Sequence, residues 1–319
     1  MRRVLLMSLS VLLATVAAGT AIAADMPVKA RPGQAPVVTS DWLLEIGGRY
    51  WYSSATNRYN YYGDSTTANR VSRLSYDGLS AHTGEVFFRL DGPTRIFAKG
   101  YAGAGKIVRG TLYDEDYPPA VVPYSKTESD AKGFLDYVSG DLGYTVFDGR
   151  GSKNSPAMRI GAFAGVHYWR EKSTGYGCDQ IGGGNVCDAG NQIAKSVAVI
   201  SEESKWTALR LGAVTDFYLS QDLKLTVDAA YARVRQKAID IHFFTLGETP
   251  SSGDGHGVEL EGLVSYQLTK SFNVGVGGRW WHYETKLNDN NGQLLEYKTD
   301  RYGVFVQGSM KFGGDSRAF

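Results

Sequence analysis

Apolar and polar residues alternate with a period of two over ten separate stretches of this chain, and no other feature limits its possible folds so tightly. Val258, Leu260, Gly262, Val264, Tyr266 and Leu268 alternate with Glu259, Glu261, Leu263, Ser265 and Gln267. Tyr302, Val304, Val306, Gly308, Met310 and Phe312 alternate with Gly303, Phe305, Gln307, Ser309 and Lys311, and Leu223 to Tyr231 repeats the pattern. Successive side chains of a strand point to opposite faces, so each stretch carries one apolar face and one polar, small or charged face. The stretches fall at roughly 42–52, 71–91, 94–108, 133–147, 157–171, 205–219, 222–236, 257–269, 272–286 and 301–312. The gaps alternate too: long ones at 53–70, 109–132, 172–204, 237–256 and 287–300, short ones at 92–93, 148–149, 220–221 and 270–271. An even number of strands joined alternately by short turns and long loops predicts an all-β, antiparallel transmembrane β-barrel of the outer membrane. A soluble sandwich does not predict that parity. In lipid every backbone group must pair within the sheet, and closure removes the edges. The apolar face then meets lipid and the polar face lines the lumen. Ten strands make a narrow barrel filled by side chains, which argues against a wide diffusion pore.

The chain's beginning agrees with export. Arg2 and Arg3 precede an apolar run from Val4 to Ala18 and a small-x-small site at Ala21-Ile22-Ala23, which predicts a signal peptide over 1–23. Residues 24–40, with Pro27, Pro32 and Pro36, read as a flexible periplasmic lead-in, and the barrel domain takes 41–319. Lysines and arginines number 34 against 33 acids, so charge gives no reason to expect a nucleic-acid partner. A mean hydropathy of −0.26 excludes a helical multispan protein. Aromatics at Tyr50-Trp51-Tyr52, Tyr168-Trp169, Phe217-Tyr218 and Trp280-Trp281 suit interfacial girdles. The chain ends in Phe319, a trait that resembles the signal read by the barrel-assembly machinery.

With the amino end in the periplasm, the short turns are periplasmic and the long loops extracellular. Cys178 and Cys187 share the third long loop of an exported chain, which predicts a disulfide. Gly100-Tyr101-Ala102-Gly103-Ala104-Gly105-Lys106 imitates the start of a phosphate loop, but Ile107 stands where Ser or Thr is needed and no helix follows. Small residues on a crowded strand explain those glycines better. Two clusters carry more chemistry. Asp114-Glu115-Asp116, between Tyr113 and Tyr117, ends the third strand, and Asp240-Ile241-His242 ends the seventh. In an extended chain residues i and i+2 share a face. Even-numbered residues of the seventh strand face inward, so without a bulge Asp240 and His242 point into the mouth. The third and seventh strands stand nearly opposite in a ring of ten. Asp240 can orient the imidazole, His242 can take a proton from water, and one of Asp114 and Asp116 can hold a proton. Solvated surface acids beside an incidental histidine are the plain alternative.

Over about Ile46 to Phe312 the chain resembles the omptins, ten-stranded outer-membrane proteases of Gram-negative bacteria. The resemblance rests on Arg73-Leu74-Ser75-Tyr76, on Gly110 to Tyr117 with its Asp-x-Asp, and on Asp240-Ile241-His242. It implies an aspartic-type endopeptidase acting on extracellular peptide or protein. Asp114, Asp116, Asp240 and His242 would be catalytic, water would be the nucleophile, and no metal or other cofactor would be needed. Lipopolysaccharide would be the activating lipid. There are two departures. Omptins that cut between basic residues carry an acid two positions before the Asp-x-His aspartate, where this chain has Ala238, and another in the outer part of the first strand, where Arg49 to Ser54 offers none. Arg170, Lys172, Arg233, Arg235 and Lys237 are candidates for contact with lipopolysaccharide phosphates, or are ordinary basic residues flanking membrane strands. A non-enzymatic barrel for adhesion or envelope integrity, and a small channel, stay open beside the protease.

Overall fold

The computed structural model describes residues 42–63, 69–117, 122–149, 157–289 and 291–313. The expected signal peptide, the lead-in and Phe319 lie outside them. Ten strands follow one another: β1 (Leu43–Tyr62), β2 (Arg70–Asp91), β3 (Ile96–Asp116), β4 (Ser125–Asp148), β5 (Met158–Gly183), β6 (Ile193–Tyr218), β7 (Leu223–His242), β8 (Gly247–Gln267), β9 (Phe272–Asp289) and β10 (Leu294–Phe312). Each pairs antiparallel with its chain neighbours, and β1 closes on β10 from Leu44↔Phe312 to Tyr61↔Leu295. No strand edge is left among the described residues.

The strands run further than the alternation foretold. Most of each long gap is strand, and the β7–β8 connection shrinks to residues 243–246. A 20-residue strand rises about 3.4 Å per residue, and even tilted by about 40° it spans roughly 50 Å, twice the height of a lipid-facing band. Exposed apolar side chains such as Val86, Leu142, Val166, Leu211, Val276 and Val304 form a belt at the short-turn half only. Above the belt the outward face turns polar, as at Thr56, Arg58, Lys286 and Lys298, while the inward face mixes polar residues with buried Tyr59, Leu74, Leu112 and Leu295, so the two-residue signal disappears while the strands continue.

The lumen is packed. Arg49 and Arg279 each bridge Glu85 and Glu261 at 2.7–3.0 Å, and Arg210 meets Asp141 at 3.2 Å and Glu259 at 3.1 Å. Over these ion pairs lies an aromatic layer, with Trp51 and Trp281 centroids 4.9 Å apart and Trp169 and Trp206 4.4 Å apart. This corrects part of the girdle expectation. Trp51, Trp169 and Trp281 are 0–1% exposed inside the barrel, while Tyr50, Tyr52 and Phe217 do face outward. Neighbouring aromatics on a strand must part to opposite faces. The glycines of the imitation phosphate loop serve this packing. A Cβ on Gly103 would sit 2.5 Å from the Tyr137 ring, and one on Gly105 would sit 2.4 Å from the His82 carbonyl.

Candidate active site

The register decides which side chains reach the mouth. β7 pairs with β6 and β8 without a shift, from Tyr218↔Lys224 to Ile200↔His242 on one side. Asp240 and His242 therefore keep the inward parity of Lys224, Thr226 and Asp228. β3 behaves differently. Low in the barrel its inward residues are odd-numbered, as at Phe97 and Ile107; above a register shift between Ile107 and Thr111 they are even-numbered, as at Leu112. β2 shifts at the same height, between Asp77 and Ser80, where Gly78 adopts φ 62°. A bulge adds one residue, and one residue exchanges the two faces. These paired bulges turn Asp114 and Asp116 inward.

The four acid–histidine residues line one cleft of about 560 Å³ at the mouth. His242 Nε2 lies 3.0 Å from Asp240 Oδ2. A carboxylate can only accept, which places the imidazole proton on Nε2 and leaves Nδ1 as the basic nitrogen. Tyr61 Oη donates to the same oxygen at 3.0 Å. Asp114 Oδ1 and Asp240 Oδ1 are buried without a hydrogen-bond partner among the described residues. The site lies above the apolar belt, and its acids behave accordingly. Burial pushes the Asp114 carboxyl up to about 7, nearby Asp116 adds to the rise, and His242 opposes it. Burial also raises Asp116, against the pull of His242. For His242, burial acts downward, but the hydrogen bond and charge of Asp240 and then the charges of Asp114 and Asp116 leave it above its ordinary value. Glu115 points the other way and pairs with Lys126 at 3.0 Å.

Two residues went unnoticed in the sequence. Tyr61 lay in a stretch read as loop; the odd inward parity of β1, extended upward, would have found it. Glu202 stands directly across from Asp240 on β6, 4% exposed, and accepts from Tyr59 and Ser204. Burial raises its carboxyl well above the usual range, and Asp240 raises it further. Ala238 faces inward between Ser204 and Ser251, and inward Ala55 and Asn57 of β1 bring no acid. Cys178 and Cys187 are joined by a disulfide that lines the cleft. Arg233, Arg235 and Lys237 are exposed on the outside of β7 just above the belt, with Arg170 and Lys172 on β5. Arg170 pairs with Asp136. Lys205, the partner in register of both Arg170 and Lys237, completes the patch.

No protein-family model and no curated protein sequence matches the chain. Among solved structures it shares its fold with the outer membrane protease OmpT from Escherichia coli. The TM-score is 0.65 at 16% identity, over 85% of this chain and 97% of that one. The transport unit of the Escherichia coli autotransporter AIDA-I aligns at TM-score 0.33 and 9% identity over 89% and 93% of the two chains. A Pseudomonas aeruginosa FadL homologue aligns at 0.18 and 9% over 86% and 90%. The fold is thus a ten-stranded outer-membrane β-barrel with the OmpT architecture, as the omptin resemblance implied.

Proposed function

We propose that this protein is an outer-membrane endopeptidase. Its site would hydrolyse peptide bonds of extracellular substrates at the barrel mouth. The observation that carries this reading is the convergence of Asp114 and Asp116 from β3 with the hydrogen-bonded Asp240–His242 pair from β7 in one cleft. The shared fold of OmpT supports it. Nδ1 of His242 takes a proton from a water held between the two walls, and that water attacks the scissile carbonyl. Asp240, steadied by Tyr61, stabilises the imidazolium. The Asp114–Asp116 pair, sharing one proton, positions the water and donates to the developing oxyanion. His242 then returns its proton to the leaving amine. The basic patch on β5–β7 presents guanidinium and ammonium groups at the height of lipid headgroups, where lipopolysaccharide phosphates would meet them and order the mouth.

The test is cleavage of a diverse peptide pool by the refolded barrel with lipopolysaccharide, beside a His242→Ala control. Cleavage should fall by about 10³-fold or more in the control. Equal cleavage by both, or none by a barrel shown to be folded through heat-modifiable migration, would refute the assignment.

A further inference from the structure

The cleft is not symmetrical about His242. On the β6 flank its direct cross-strand neighbour is Ile200, followed by Val199, and beyond them stand Ile193 and the Cys178–Cys187 disulfide. On the opposite flank, at Thr249 of β8 and the β9–β10 connection, the lining turns polar, with Asn291, Gln293 and the carboxylate of Asp289, whose Oδ1 accepts the backbone N–H groups of Asn291 and Gln293 at 2.8 Å. Apart from the four acid–histidine residues, Asp289 is the one charged side chain among the described residues lining the cleft. Val71 and Leu74 continue the apolar surface beneath the Asp114 wall, and Leu74 is the cross-strand partner of Asp114.

At the rim this character reaches solvent: Val186, Phe244 and Leu246 are 61%, 64% and 75% exposed. Apolar side chains displayed together around a concave site mark a surface that a ligand covers. A Lys or Arg side chain lying on the β6 flank would lose its hydration against Ile200 and the disulfide, and the Asp240 carboxylate of the adjacent strand is already held by His242 and Tyr61. A leucine or phenylalanine there would bury apolar surface on both partners.

From this we infer the substrate class: a peptide that places a bulky apolar side chain on one side of the scissile bond, against Ile200, Val199 and Ile193, and a polar or cationic one on the other, toward Asp289. The inference rests on the proposed peptidase activity, because the occupant is that reaction's substrate. It predicts a cleavage pattern with a bulky apolar residue at one flank, not basic residues at both.

The experiment is a site-resolved cleavage profile of the peptide pool by wild-type barrel and two variants. Wild type should prefer Leu, Ile, Met or Phe over Lys at one flanking position by about 10-fold or more in kcat/KM. Ile193→Glu, at a half-buried position near the rim, should cut that preference by about 10-fold with the opposite flank unchanged. Ile200→Ala should lower kcat/KM for the bulky residues while sparing alanine at that position. Efficient cleavage between two basic residues, or a profile that neither variant moves, overturns the inference and leaves the peptidase standing. A folded wild type that cuts nothing takes down both.

Discussion

Asp114 and His242 are both held above their ordinary values, and this makes pH a probe of the site. The base must be neutral, and His242 is held above its ordinary value by Asp240 and the facing acids, so activity gained by its deprotonation arrives late as pH rises. The acid pair must keep one proton, and Asp114 gives up its own near 7. The expected profile of kcat/KM is therefore a bell with its alkaline limb near 7 and an acidic limb displaced upward, whose apparent midpoints belong to the cluster. Asp114→Asn cannot ionise; it should lower the plateau by about 10²-fold and weaken the alkaline limb. Glu202 gives a second test. Burial, and then the charge of Asp240, hold its carboxyl well above the usual range, which favours the neutral form. Glutamine mimics the neutral form, and Glu202→Gln should leave the acidic limb in place. A charged Glu202 would instead help to hold His242 high, and its removal would move that limb to lower pH. The sign for stability follows: a carboxyl raised in the folded state contributes stability that is complete below its unfolded value and lost as pH rises through the folded one. The wild-type mouth should thus loosen with alkaline pH more than the glutamine variant, as read by hydrogen exchange in β6 and β7.

The elements show what could be read from the residue order and what could not. Where a strand crosses the belt, lipid on one side and ion pairs on the other impose strict alternation, and the ten segments stand out. Beyond the belt, Tyr59, Asn60, Tyr61 and Tyr62 of β1 give no period, although they are strand. The bulges were equally hidden, since a residue added to β3 has no composition of its own. The Asp-x-Asp spacing promised only a shared face; the bulge makes that face the inner one. Gly78 tests the point. It has φ 62°, and no atom lies within 4 Å of an added Cβ, so a substitution there meets backbone strain and no clash. Gly78→Val should cost about 1–2 kcal/mol for the left-handed conformation, whereas Gly78→Asn, whose side chain tolerates it, should cost distinctly less. Denaturant unfolding of the refolded barrel would compare them. Equal costs would mean that the bulge does not depend on this backbone geometry.

The whole molecule separates two jobs along its axis. The mouth half carries the acid–histidine cleft, the belt half carries the ion-pair lattice, and the tryptophan layer divides them. The fully buried tryptophan layer and the ion pairs obstruct a narrow lumen, so the refolded barrel should stay silent in a planar bilayer; steady single-channel conductance would contradict this packing. The lattice should matter for stability and little for chemistry. Arg279 and Arg49 alternate with Glu85 and Glu261, the first three almost wholly enclosed. Arg279→Met removes half of the positive charge facing buried Glu85 and half-buried Glu261, and breaking a buried pair such as Arg279–Glu85 costs about 3–5 kcal/mol. Adding Glu85→Gln removes one stranded charge and should restore a large part of the loss, because the penalty lies in the unpaired ion more than in the missing bond. Distant sites without shared partners are close to additive, so kcat/KM of the folded Arg279→Met barrel should stay within about twofold of wild type. A large fall in activity without unfolding would mean that the tryptophan layer transmits strain from the lattice to the cleft.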